Sequence, residues 1–134
     1  MAFTQPCFIK RISSELKEKL KEFGYKDVGK VRYYGESQYI YCEGGIFYES
    51  PCIIEARYNT FIDCGDNEEL FLAIAALRDD SDINQYFICD KVSITLGKTY
   101  YSGDYLYYQY DEFFDKQNWH KATVEEIVEH FKKY

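Results

Sequence analysis

The chain has 134 residues, with 16 basic against 23 acidic side chains and a formal charge of −7. That length suits a single domain, and 46% hydrophobic with 19% aromatic residues excludes a disordered or solvating segment. Two prolines and eight glycines exclude a collagen-like or linker-like chain, and no apolar run approaches the roughly 18 residues a transmembrane helix needs.

Residues 6–12 predict a short extended segment, with Pro6 suited to a strand start because it cannot donate to a ladder. A helix follows over 14–23. Ile12, Leu16, Leu20 and Phe23 recur at spacings of four, four and three, so they share one face. Ser13 or Ser14 can cap it, Gly24 stands at its natural stop, and Tyr25 can fold back on Leu20 as the contact of a Schellman end. Residues 30–64 predict strands, with Glu43-Gly44-Gly45-Ile46 as the tight turn joining 38–43 to 46–49. The segments 52–57 and 60–64 predict further strands, with Tyr58-Asn59 as a turn. A central helix is predicted over 67–78, capped by Asp66 with Glu69 returning as in a capping box. Its run from Leu70 to Leu77 has no polar face, so it must be covered on most sides. Segments 85–89, 92–96 and 105–110 predict strands. A last helix over 124–132 opens on a Thr123/Glu126 capping box, with Val124, Ile127, Val128 and Phe131 as its stripe. The expected fold is α+β: a largely antiparallel twisted sheet packed against a central apolar helix, flanked by two amphipathic helices, in one domain over 1–134.

Charge is uneven. Residues 1–32 hold eight basic and four acidic side chains, a local +4, and the remainder carries −11. The acidic balance argues against bulk DNA or RNA binding, which neutralises phosphates with basic clusters. The start has no basic region followed by a long apolar stretch, so no signal peptide is expected and a cytoplasmic location with reduced thiols is. The five cysteines, Cys7, Cys42, Cys52, Cys64 and Cys89, form no CxxC pair and each lies in or beside an apolar segment, as small buried hydrophobes do.

Chemistry-bearing motifs are sparse. Asp79-Asp80-Ser81-Asp82 gathers carboxylates that suit a hard cation or a partner. An EF-hand counted from Asp80 would need Gly and Glu where Gln85 and Lys91 stand. His120 and His130 are ten residues apart with no cysteine nearby, which is poor zinc spacing. Cys64 precedes the central helix but ends an apolar strand, a setting for a structural thiol more than a nucleophile. Gly29-Lys30, Gly44-Gly45 and Gly97-Lys98 lack phosphate-loop spacing. No cofactor, metal or catalytic residue is expected on these grounds. The 15 tyrosines exceed what a small core absorbs, so some rings should reach the surface. Tyr100, Tyr101, Tyr105, Tyr107, Tyr108 and Tyr110 lie among acidic residues that repel a phosphate backbone. With Asp79, Asp80 and Asp82 they make the candidate contact surface for a protein partner or a second copy of the chain.

Three blocks, PCFIKRISSELKEKLKEFGYK, IDCGDNEELFLAIAALRDDSDINQYFICD and WHKATVEEIVEHFKKY, together about half the chain, resemble a group of small hypothetical proteins from gut Bacteroidetes genomes and their phages or prophages. That group has no assigned activity, so the resemblance implies context only: an intracellular accessory protein, an inhibitor or adaptor of mobile-element origin. The reading of the sequence is a non-enzymatic protein-interaction module. The alternatives are a small-ligand or nucleotide-derivative binder using Lys or Arg from the first 32 residues in a tyrosine-lined pocket, and, third, an enzyme. A concave apolar pocket with converging basic groups marks the ligand binder; a flat patch beyond about 400 Å² marks the interface.

Overall fold

The structure, a computed structural model, describes residues 3–30, 35–51, 60–79, 83–95, 97–108 and 116–132. Its first strand, β1 (Cys7–Ile9), leads into α1 (Ser14–Phe23). The Ser13 hydroxyl accepts from the Leu16 amide at 3.1 Å and so satisfies one of the helix's open donors. At the other end Gly24 sits at φ +112°, a conformation only glycine adopts without strain. Its amide reaches Lys21 O at 3.0 Å while the Tyr25 amide reaches Leu20 O at 3.0 Å, the paired bonds of a Schellman motif. Leu16, Leu20 and Phe23 form the buried stripe.

Strands β2 (Lys26–Lys30), β4 (Ile46–Ser50), β3 (Tyr39–Glu43), β1 and β5 (Ile62–Asp63) lie side by side in that order in a five-stranded sheet. Gly44 and Gly45, both at positive φ, close the β3–β4 hairpin where the sequence places it. The sheet is mixed. β1 pairs antiparallel with β3 and β3 with β4, but β2 runs parallel to β4 and β5 parallel to β1. The expected largely antiparallel sheet is thus mixed: α1 returns the chain to the same end of the sheet, so β1 and β2, the strands this helical crossover joins, run the same way. Two smaller sheets are antiparallel: β10 (Trp119–Lys121), β6 (Gln85–Cys89) and β9 (Tyr105–Tyr108) in one, β7 (Ser93–Thr95) and β8 (Lys98–Tyr100) in the other. A short 3-10 turn, Lys116–Asn118, precedes β10. The expected strands over 52–57 and the Tyr58-Asn59 turn lie outside the described residues.

The central helix α2 spans Glu68–Ala75, shorter at both ends than predicted. Asn67, not Asp66, caps it, its Oδ1 accepting from the Leu70 amide at 3.1 Å. It stops early because Leu77 O accepts from the Thr4 amide at 3.1 Å and Arg78 bridges to Phe3, which draws the chain out of helical geometry. Leu70 to Leu77 are buried throughout except Leu72, which is half-buried. α2 touches α1, β1 and α3 (Val124–Lys132). Thr123 and Glu126 close the predicted capping box on α3, the Glu126 amide reaching Thr123 Oγ1 at 3.2 Å and the Thr123 amide reaching Glu126 Oε1 at 3.0 Å.

One core cluster takes Cys7, Ile9, Ile40, Cys42 and Phe47 from the large sheet, the apolar faces of all three helices, and Ile88 from β6. Alternate residues of the large sheet point the other way, where Phe8, Tyr41, Tyr48 and Phe61 form a second buried cluster. Tyr41 and Tyr48 stack at 5.3 Å between ring centroids, and Phe8 lies 5.1 Å from Tyr41. A third cluster joins Phe87, Cys89, Tyr108 and Trp119, with Tyr100 set edge-on to Trp119 at 5.1 Å. These clusters absorb rings that composition leaves over for the surface. Among the described tyrosines only Tyr101, 60% accessible, is exposed. Cys7, Cys42, Cys64 and Cys89 are buried thiols, and burial pushes the Cys7 thiol well up.

Candidate functional site

The predicted contact residues do not share one environment. Period-two alternation in β9 sends Tyr105 toward the helices, where its ring stacks on His130 at 4.0 Å and its hydroxyl donates to Glu126 O at 3.2 Å. Tyr108, 6% accessible, points the opposite way into the Trp119 cluster; as a surface contact it is corrected, because it is core. Tyr100 is half-buried under the Lys98 ammonium, 5.2 Å from its ring centre. Tyr101 and Asp79 are exposed. Tyr110, Asp80 and Asp82 lie outside the described residues.

Tyr107 leads to a feature the sequence did not single out. It faces Tyr86 directly across the β6–β9 ladder, the two rings tilted at 36° with centroids 4.8 Å apart. Beside them opens a cleft of about 360 Å³, walled by Glu22 and Phe23 of α1, Glu69 and Leu72 of α2, and the two tyrosines. Lys19 and Asn84 complete its rim. Asn84 holds φ +66°, a conformation asparagine tolerates, and its Oδ1 accepts from the Tyr107 hydroxyl at 3.2 Å. That bond fixes the ring at the cleft wall. The volume falls at the low end of small-molecule sites, about 300–1,000 Å³.

The electrostatics of the cleft are negative. Lys19 pairs with Glu22 at 3.7 Å, one helical turn along α1, with both side chains more than half accessible. Glu69 makes no ion pair among the described residues. Tyr86 is pushed up to about 12, by burial first and then by Tyr107 and Glu69; Tyr107 is pushed up by burial and by Glu22. Both phenols therefore stay neutral at physiological pH. The basic side chains expected to meet a phosphate do not converge here: one lysine faces two carboxylates. A smaller cavity next to the cleft is lined by Phe23, Ala76, Arg78 and Ile83. Arg78 is held over the Phe3 ring at 4.6 Å and donates to Phe23 O at 2.9 Å.

His120 lies in a separate polar cluster. Its Nδ1 is 2.7 Å from Asp90 Oδ1 and its Nε2 is 2.9 Å from Glu126 Oε2, so only the imidazolium has a proton for each carboxylate. The Glu126 hydrogen bond foremost, with Asp90, raises its pKa against the opposing effect of desolvation. Desolvation pushes the Glu126 carboxyl up, but the Thr123 amide and His120 outweigh it and leave it below its usual range. With both ring nitrogens engaged by carboxylates, His120 is arranged as a clasp between β6's end and α3. A histidine with a raised folded pKa contributes stability fully below its unfolded value of about 6.5, and loses it as pH rises through the folded value. Glu126 removes its share as pH falls through its lowered value. His120→Gln is thus expected to lower stability most near pH 6, and hardly at pH 9. With the ring 41% accessible, the cost should be under about 1 kcal/mol. Urea midpoints for both proteins between pH 4 and 9 check this, and a pH-independent difference would contradict it.

Cys64 is buried with its Sγ donating to Ile62 O at 3.8 Å. Among the described residues no group of three or more His, Cys, Asp or Glu side chains is placed to hold a metal ion, and no helix is long and apolar enough to cross a membrane. No protein family, curated protein or solved structure matches the chain.

Proposed function

We propose that this chain is a small non-enzymatic binding module that recognises another protein through the Tyr86–Tyr107 cleft and its acidic rim. One observation carries the reading. Four elements, α1, α2, β6 and β9, converge on a concave surface with aromatic rings at its wall and carboxylates at its edge. Tyrosine suits such a surface because it offers contact area at low entropic cost. Tyr101 and Asp79, both exposed, lie elsewhere on the surface as secondary contacts in this reading. The arrangement of α2 between two amphipathic helices supplies a rigid base for the cleft, and the resemblance to mobile-element proteins supplies an accessory role as its setting. The nucleotide-derivative alternative loses ground, since a phosphate in the cleft would meet two carboxylates, Glu22 and Glu69, against the single Lys19.

The test is affinity capture from a lysate of the source organism, using wild-type chain, Tyr107→Ser, Glu69→Gln and Ile94→Ser as baits of equal melting temperature. Ile94 is exposed on β7 and is not part of the cleft. A protein retained by wild type and Ile94→Ser but lost from both cleft variants supports the reading. Retention by all four baits overturns it. Tyr108→Ala is unsuitable as a bait because it removes part of the core.

A further inference from the structure

The structure assigns to the cleft a cationic side chain, lysine or arginine, presented by the protein partner. The inference deepens the binding reading above and rests on it. Three features of the cleft act together. The faces of Tyr86 and Tyr107 carry the negative part of the ring quadrupole, which attracts a cation placed within about 6 Å of the ring centre. Glu22 and Glu69 approach from two different helices, so an ammonium or guanidinium entering between them meets a carboxylate on each side. Phe23, Leu72 and Ala73 supply an apolar wall along which the aliphatic stem of a long basic side chain can lie.

The charge balance selects the sign of the ligand. Lys19 neutralises at most Glu22, to which it is already paired, and its accessible side chain is free to swing outward as a competing cation enters. Glu69 has no ion-pair partner among the described residues, and Arg11 is paired with the adjacent Glu68 at 3.4 Å. Asn84 Oδ1, already accepting from Tyr107, offers a second lone pair at the rim for an N–H donor. Among the described lining residues an anion would find the Lys19 ammonium, the Asn84 amide and the tyrosine hydroxyls as donors, of which only Lys19 carries a charge to set against two carboxylates. A neutral apolar group would leave the carboxylates desolvated without compensation.

The experiment is an NMR titration of the full chain with N-acetyl-lysine amide and N-acetyl-arginine amide. N-acetyl-glutamate amide, inorganic phosphate, and lysine amide acetylated on both nitrogens serve as comparisons. Saturable shifts confined to the signals of Glu22, Glu69, Leu72, Tyr86 and Tyr107 are expected with the two cations, with dissociation constants of order 1–10 mM as befits one side chain in an open site. The doubly acetylated lysine, equal in stem but uncharged, should bind at least tenfold more weakly. Glu69→Gln and Glu22→Gln should each weaken the cations about threefold or more, with circular dichroism confirming that the fold is intact. Raising salt from 20 to 300 mM on wild type gives a reading that needs no variant, and should weaken binding severalfold. Phosphate or the glutamate probe binding as well as the cations, or cation shifts that spread evenly over the surface, overturns the inference. Spermidine binding more than tenfold tighter than both capped residues overturns the protein source in favour of a free polyamine. The two levels separate cleanly. If cleft-dependent capture of a protein persists while cations fail to bind, the inference falls and the binding module stands. If cations bind while capture is indifferent to the cleft variants, the binding module falls.

Discussion

Phe71→Ala is expected to destabilise the chain by about 3–5 kcal/mol, read as the drop in unfolding free energy from urea titration. Phe71 has no accessible surface and stands in the core cluster that joins the large sheet, the helices and β6. Its loss removes the transfer energy of a ring and leaves a cavity among neighbours fixed on several sides, so collapse can recover little. Against a total of about 5–15 kcal/mol for a domain, such a loss leaves a marginal fold. Leu72→Ala, one position along the same helix, should cost about 1 kcal/mol, because Leu72 is half-buried and forms a wall of the cleft. The contrast is the measurement that matters. Equal costs at the two positions would mean that α2 is not enclosed on the side away from the cleft.

Enclosure of α2 was legible in the sequence because a run with no polar face permits one outcome. Caps and turns were legible for a similar reason: Ser13, Gly24 with Tyr25, Gly44-Gly45 and Thr123 with Glu126 are local devices whose partners lie within a few residues. Asp66 and Asn67 are both competent caps in adjacent positions, and the helix starts from the second. Strands β2, β8 and β10 were not legible. β2 is largely exposed at a sheet edge, so Lys26 to Lys30 show no alternation, and β8 and β10 are three residues each, with pairing decided by distant partners. Tyr108 could have been placed from period-two alternation, since Tyr105 and Tyr107 share one face and Leu106 and Tyr108 the other. Some tyrosine rings do reach the surface, Tyr101 as an exposed ring and Tyr86, Tyr100, Tyr105 and Tyr107 in part, but the large sheet buries rings on both faces and so absorbs more of them than one core would. The cleft itself was not legible, because Tyr107 stood out only as one of six neighbouring tyrosines, while Glu22, Glu69 and Tyr86 belong to three other segments and each is ordinary in its own.

Gln85 provides the second large effect, and it ties the cleft to the core. It is 1% accessible, and its Nε2 donates to Ala76 O at the end of α2 and to Ile83 O at 3.3 Å. The amide clamps the last turn of α2 to the start of β6, between Asn84 and Tyr86 of the cleft wall. Its Oε1 accepts no hydrogen bond among the described residues. Gln85→Ala removes a donor from a buried carbonyl and opens a void, which together should cost about 2–4 kcal/mol. Gln85→Met loses the same donor but fills the volume and discards the unsatisfied oxygen, whose desolvation already weighs against the native chain. Its cost should be about 1 kcal/mol. The order, alanine well below methionine in stability, is the expected result from urea titration. If methionine proves as damaging as alanine, the Ala76 hydrogen bond alone sets the cost. If neither costs as much as 1 kcal/mol, the clamp does not hold α2 to β6, and the rigid wall on which the cleft's geometry depends would have to come from Tyr25, whose hydroxyl donates to Ala75 O at 2.6 Å one residue earlier.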